Sequence, residues 1–549
     1  MNPSMPITDA FWEMADQDQK AFSGEDGQSM AVNRLDLEKM IAMGLGSLPV
    51  DAIALPEHSP LIGPTVHQGQ TTHQLTGQLS QYFPTAFVVA LYEIQSALTK
   101  QNVQAYVIGG ITRDLIMDPE RRLILADVDI TVEGDAIAFA DWLVQHSKNF
   151  ELVEAFPDFG TVTLTYKDFL MLDLASTRRE VYAACGALPD VVARGVPLAE
   201  DVIRRDFTLN ALAFSINELG TILDFSEGMN DIANRIIRVL HPVSFFEDPS
   251  RILRALKFAA RFDYTLSPGT QLLMERFFEY AAPFYKGGGD RIKYELKSFL
   301  SLEDVSSKTQ RMRYFVDHNA LRLIRMAMGP EEARQRSTRL QEVSRLVGTV
   351  QQAFHHWADD EFVFQIYLCF LFEDEENLDE DATAHRLGLT RPERDIIERF
   401  QRLRESGELM RLNEFSSAVD IYHLFQRKPV PAIAAAIIVS ILHPSENEAM
   451  SARERLALVA SAYKTYRDQW AEAAVTLDGN DLIEMGVPEG PDVGRHLREL
   501  LDARLMNRIT DRMGEVRFVQ SRLSGESFEA LMRQGRQPAK TGAEEHDEE

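Results

Sequence analysis

The 549-residue sequence predicts an α+β protein, a small domain of mixed strands and helices followed by a long helical body. Two patterns carry this reading. From about residue 80 to about 230, short alternating runs interleave with helical apolar spacing. Beyond about 230 the strand signals fade, and nearly everything to about 525 reads as amphipathic helix.

Residues 1–78 mix Gly, Pro, Gln, His and Asp with weak periodicity. They predict a flexible extension with a short helix near Val32–Met43. Ala86–Leu98 has helical apolar spacing, and Ala105–Ile108 is a short strand ending at Gly109-Gly110. Ile111–Met117 can begin a helix directly after those glycines. Ala126–Val132 alternates like a strand, Ala136–His146 reads as a helix, and strands follow at Thr161–Tyr166 and Leu170–Ala175. The mixed domain is therefore placed at 79–232. A long helical body follows to about 525, with a disordered acidic tail at 526–549.

A hydrophobic content of 45% is ordinary for a globular chain, and no run of about 18 apolar residues predicts a membrane span. The N-terminus lacks a basic region followed by an apolar stretch, so it does not read as a signal peptide. The two cysteines, Cys185 and Cys369, cannot form a disulfide framework and fit a reducing cytoplasm. A net charge of −27 argues against a nucleic-acid partner until the charge is located. Residues 235–345 hold 20 Lys or Arg against 13 Asp or Glu, so a basic middle sits inside an acidic chain.

Chemistry concentrates in a few segments. Asp127 and Asp129, two residues apart on a predicted strand, project to one face, and two nearby carboxylates need a cation between them. Their hard oxygens favour Mg²⁺. Alone, D-x-D is common in acidic proteins; its context raises its weight. Gly109-Gly110, between strand and helix, lets backbone N–H groups approach a triphosphate, and Arg113 lies one turn into that helix. Asp173 on a later strand is a candidate third carboxylate. Arg204-Arg205-Asp206 precedes a helical run containing Asn210 and can bind phosphate or decorate a surface. Asp248-Pro249 starts a helix along which Asp248, Arg251, Arg254 and Lys257 recur every three residues. That row spirals backwards by about 60° per step.

Taken in order, these motifs resemble the class II tRNA nucleotidyltransferases and bacterial poly(A) polymerases of the polymerase-β-like superfamily. The carriers are Gly109-Gly110-x-x-Arg113-Asp114 with Asp127-x-Asp129, then Phe159-Gly160-Thr161 and the Asp173–Glu180 segment. Arg204-Arg205-Asp206-Phe207-Thr208-Leu209-Asn210-Ala211, Asp224–Gly228 with Asp231, and Glu247-Asp248-x-x-Arg251 follow. Gly479–Leu482 and Gly490–Gly494 resemble the family's tail. The match spans about residues 80–525.

The resemblance implies a nucleotidyltransferase head at 79–232 and a neck at 233–300 carrying nucleotide-selecting and RNA-binding helices. It also implies a body at 301–430 and a tail at 431–525. It implies two Mg²⁺ ions held by Asp127, Asp129 and Asp173, with Gly109, Gly110, Arg113, Arg204, Arg205, Asp206 and Asn210 around the nucleotide. Asp248, Arg251, Arg254 and Lys257 would complete that set. The expected activity is addition of CCA, or of CC or the terminal A alone, to a tRNA 3′ end from CTP and ATP. Poly(A) addition to other RNAs is the alternative. The expected partner is the tRNA acceptor arm; no membrane and no stable protein partner are implied.

An aspartate only accepts and an arginine only donates, so Asp248 with Arg251 suits cytosine and adenine and mismatches uracil and guanine. Two departures stand out. Lys257 stands where the family usually has arginine, keeping the charge without the planar fork. Tyr182 with the Gly186-Ala187-Leu188-Pro189 turn replaces the more basic loop of many CCA-adding members and resembles the variant found in A-adding enzymes.

Overall fold

The computed structural model describes residues 7, 21–22, 32–45, 71–75, 78–118, 127–282, 285, 290–301, 305–325, 328–353, 359–375, 377–378, 381–408, 416–426, 430–442, 452–470, 473–525 and 527–529. Most of the predicted flexible extension and acidic tail lies outside the described residues. The chain forms two compact units, one of residues 1–345 with 375–389, the other of 346–374 with 390–549.

The first unit is built on an eight-stranded sheet. In spatial order its strands are Thr71–Gln74, Thr221–Asp224, Ala213–Ser215, Gln104–Ile108, Asp127–Glu133, Leu170–Ser176, Thr161–Tyr166 and Phe150–Phe156. All pairings are antiparallel except that of Asp127–Glu133 with Leu170–Ser176. The helices Thr85–Gln101 and Ala136–His146 contribute Phe87, Leu91, Leu98, Phe139 and Leu143 to one core. Val128, Ile130, Val132, Leu172 and Leu174 enter that core from the central strands. The period-two alternation of Asp127–Glu133 thus buries its aliphatic positions and leaves Asp129 exposed. A smaller core holds Tyr106 and Ile108 against Leu198 and Val202 of the helix Leu198–Ile203.

Two features differ from what the sequence predicts. Thr71–Gln74 joins the sheet at its edge, so the mixed domain reaches back into the segment assigned to the extension. An edge strand needs backbone hydrogen bonds on one side only, so it requires no alternating apolar pattern. Phe150–Phe156, Ala213–Ser215 and Thr221–Asp224 are further strands that the sequence pattern does not mark. The expected helix near Val32–Met43 is present as Arg34–Ala42. Helices then dominate the rest of the unit, including Ser250–Phe262, Pro268–Arg276, Asp290–Leu300 and Val305–Asp317.

The second unit is helical in all its described elements. Asp360–Leu371, Arg391–Ser406 and Val430–Leu442 pack on one another through side chains such as Phe370 and Phe400. Leu477, Leu482, Leu500, Ile509 and Phe518 form a separate small core near its end. Among the described residues, no helix is long and apolar enough to cross a membrane.

Candidate active site

The central strands bring two carboxylates into register. Asp129 lies directly opposite Asp173 across the parallel pair, so their backbones are one strand spacing apart, about 4.8 Å. Thr163 on the next strand donates its hydroxyl to Asp173 Oδ1 at 2.6 Å and fixes that carboxylate's orientation. Two such oxygen donors fit a hard divalent cation. Asp127 sits two residues before Asp129 on the same strand with Met171 opposite; its side chain lies outside the described residues. Among the described side chains no group of three His, Cys, Asp or Glu gathers as a metal site.

Gly109 ends the Gln104–Ile108 strand with φ of 88°, a left-handed conformation that favours glycine, and the helix Gly110–Met117 starts there. Arg113 is buried, donating to Asn210 Oδ1 at 2.8 Å and to Asp114 Oδ1 at 2.7 Å, with its guanidinium over the Phe258 and Phe262 rings. Asp201 anchors the arginine pair. It is fully buried, and its Oδ1 accepts from Arg204 Nε at 2.9 Å while Oδ2 accepts from Arg205 Nη2 at 2.8 Å. Burial alone would raise its pKa, but Arg205, Arg204 and the Arg178 backbone N–H hold it below the ordinary carboxylate range. Arg205 also donates to Thr131, two residues along the strand from Asp129, so its charge stands beside the carboxylate pair.

Asp206 points elsewhere. Its buried carboxylate accepts from the Phe207 backbone and Asn210 and pairs with Arg254 at 2.5 Å. Burial pushes this carboxyl up, but Arg254, Asn210 and Arg251 pull it further down. Asp206 therefore places Arg254 and Asn210.

Asp248 and Arg251 face the same space, each held by its own partners. Asp248 Oδ1 accepts from the backbone and hydroxyl of Ser250 at 3.0 and 2.6 Å, and Oδ2 pairs with Arg291 at 3.1 Å. Arg251 donates to Ser244 Oγ at 2.8 Å and to the Arg204 carbonyl at 2.6 Å. With five N–H donors on a guanidinium, that leaves donors over.

One pocket of about 610 Å³ collects these groups. Gly109, Gly110, Arg113, Asp129, Arg204, Arg205, Asp206, Asn210, Asp248, Arg251 and Arg254 all line it. Lys257 does not; its Nζ bonds Glu295 at 2.7 Å and Ser298 at 3.0 Å. The backward drift of an every-third-residue row explains this, since the two steps along the helix from Arg251 turn Lys257 by about 120°. Asp173 is not in the lining either, lying across from Asp129.

Sequence reasoning does not single out Asp201 or Arg291. The i+3 and i+4 spacing of Arg204 and Arg205 from Asp201 is a usable signal. Arg291 lies on another helix and has none.

The first unit thus joins a mixed sheet, which carries Asp129 at the pocket and Asp173 beside it, to an arginine-rich pocket and the helices that follow. Residues 105–238 match the family model of the poly A polymerase head domain. The A-adding tRNA nucleotidyltransferase of Aquifex aeolicus is 46% identical over 177 residues, 32% of this chain and 20% of that protein. The A-adding tRNA nucleotidyltransferase of Geobacter sulfurreducens is 34% identical over 220 residues, 40% of this chain and 24% of that protein. The chain thus spans a fifth to a quarter of the length of these curated relatives. The solved structure of a CCA-adding enzyme in an apo form superposes with a TM-score of 0.62 over 83% of this chain and 99% of that one, at 23% identity. The chain resembles the class II tRNA nucleotidyltransferases in the sequence of its head and in its fold.

Proposed function

We propose that this protein is a tRNA nucleotidyltransferase that adds CCA, or the CC or terminal A part of it, to the tRNA 3′ end from CTP and ATP, releasing pyrophosphate. The observation that carries this reading is a single pocket joining Asp129 to both arginines of the Asp201 anchor and to Asp248 and Arg251. Carboxylates for a metal, cations for a triphosphate and an acceptor–donor pair for a base are the three parts such a transfer needs.

Asp127, Asp129 and Asp173 would hold Mg²⁺, which when bound lowers the pKa of the attacking 3′-hydroxyl and offsets charge on the phosphates. Gly109 and Gly110 admit the phosphates to the helix start, and Arg205 with Arg204 neutralises them from the other side. Asp248 accepts from the amino group of cytosine or adenine and Arg251 donates to a ring nitrogen or carbonyl. Uracil and guanine put a carbonyl where Asp248 needs a donor, leaving buried groups unpaired at about 1–3 kcal/mol each. We assign the head to 79–232 together with the edge strand Thr71–Gln74, the neck to 233–300, the body to 301–430 and the tail to 431–525. The basic stretch 235–345 is the surface for the acceptor arm. The Gly186-Ala187-Leu188-Pro189 turn, and the A-adding names of the two relatives, favour the terminal A within this reading.

The test is incubation of the purified protein with Mg²⁺, each of the four nucleotides, and tRNAs lacking CCA, ending in CC, or carrying the complete end. Addition that stops at the complete end from CTP and ATP is expected. Steady UTP incorporation would overturn the base assignment, and continued A addition to non-tRNA ends would replace the reading with poly(A) polymerase.

A further inference from the structure

Arg291 opens the helix Asp290–Leu300, far in sequence from the pocket it lines. Its Nη1 pairs with Asp248 Oδ2 at 3.1 Å. Its Nη2 donates to the carbonyls of Gly186 and Ala187 at 2.9 and 3.0 Å. One guanidinium therefore ties the turn after Tyr182 to the carboxylate at the start of the Ser250–Phe262 helix. The turn and the helix start are closed against each other at further points. The Gly186 backbone N–H donates to the Phe246 carbonyl at 2.9 Å. Gly186 has φ of +68°, and a Cβ there would lie 2.2 Å from the Tyr285 ring and 3.3 Å from Pro249 Cδ. A side chain here would strain the backbone and displace the Tyr285 ring, so the close approach of the turn to Pro249 and Tyr285 calls for glycine.

The planar fork matters here. One NH₂ group of the guanidinium engages a charged acceptor and the other engages two carbonyls of a different segment, a spread that the compact ammonium of a lysine does not match. Ser250 holds Oδ1 of Asp248 and Arg291 holds Oδ2, so the carboxylate plane is fixed by a bond on each oxygen. Ser250 takes both acceptor positions of Oδ1, so Oδ2, held once by Arg291, keeps the lone pair for an incoming base.

We propose that Arg291 is the positioning residue for nucleotide choice. By clamping Asp248 to the Gly186-Ala187 turn it presents the carboxylate in the one orientation that rewards an amino group and penalises a carbonyl. This rests on the proposed nucleotidyl transfer and deepens it. Without Arg291 the Asp248 carboxylate is held by Ser250 alone and can turn, so discrimination falls while the phosphate arginines, anchored separately on Asp201, keep their places.

The experiment measures kcat and KM for ATP, CTP, UTP and GTP on tRNA ending in CC and on tRNA lacking CCA. The proteins are full-length wild type, R291A, R291K, D248A and the D248A/R291A double variant. Pyrophosphate inhibition reports the phosphate subsite. The expected result for R291A is a drop of about tenfold in the kcat/KM ratio of the preferred nucleotide over UTP, equivalent to about 1.4 kcal/mol, with pyrophosphate inhibition unchanged. R291K should recover part of the ratio through its charge. Adding R291A to D248A should change the ratio no further, since the residue acts through Asp248. A ratio within twofold of wild type in both R291A and R291K, with all four nucleotides slowed alike, would overturn the proposal. Should R291A fail to fold, the ratio measured in R291K alone decides between the same two outcomes. A wild-type protein that adds no nucleotide to any RNA would instead defeat the proposed function itself.

Discussion

Replacing Asp201 by asparagine keeps the side chain's shape and removes the charge on which both pocket arginines converge. The native carboxylate is fully buried and accepts from Arg204 at 2.9 Å, Arg205 at 2.8 Å and the Arg178 backbone N–H at 3.0 Å. In D201N, two guanidinium groups face a neutral amide whose NH₂ is itself a donor. Removing one partner of a buried ion pair costs about 3–5 kcal/mol. The arginine side chains are each 19% exposed and recover some hydration, so the lower figure, about 3 kcal/mol, applies. At about 2 °C per kcal/mol for a large unit, the melting temperature should fall by about 6 °C. Displaced charge-assisted hydrogen bonds to phosphate should lower kcat/KM for ATP by at least about tenfold. The native carboxyl's pKa is held down, so its stabilisation is complete above about pH 4 and is lost as pH falls through the lower folded value. D201N should lack that acid limb. Differential scanning calorimetry across pH, with steady-state kinetics, checks all three. A melting temperature within about 1 °C of wild type together with unchanged kcat/KM would refute the anchoring role.

Asp129→Ala should abolish nucleotide addition, because Asp129 faces the pocket, while stability stays within about 0.5 kcal/mol because the side chain is exposed; a fully active variant would remove Asp129 from the site. Lys39→Met should destabilise by about 3–5 kcal/mol, because Lys39 pairs at 2.7 Å with the buried Glu247 just before Asp248. The double variant K39M/E247L should recover most of that in urea unfolding, and a double variant no more stable than K39M would disprove the pairing account. His241 is pushed down by burial to about 4 from 6.5, against the pull of Glu247. Its lowered folded value means that stability is complete above about pH 6.5 and declines as pH falls toward about 4, where the unfolded chain takes up the proton first. H241Q should flatten urea midpoints over that window, and identical slopes in the two proteins would exclude His241 as the cause.

Much of this protein is legible in its sequence wherever the signal is local. The alternation around Asp127–Glu133 and the 3.6-residue spacing of Thr85–Gln101 and Ala136–His146 are written in the side chains, and the elements form within a few residues of where those patterns lie. Gly109, with its left-handed φ, marks its turn for the same reason. Tertiary structure decided the rest. Thr71–Gln74 has no apolar alternation and becomes a strand only because Thr221–Asp224 offers it an open edge. Lys257 carries the right charge at the right spacing, yet helical drift and the nearby Glu295 turn it from the pocket. Asp206, conspicuous beside two arginines, is committed to Arg254 and Asn210, while Asp201 does the holding. Arg291 reaches Asp248 and the Gly186-Ala187 turn from a helix distant in sequence, and no local pattern encodes a contact whose partners meet only when the chain folds.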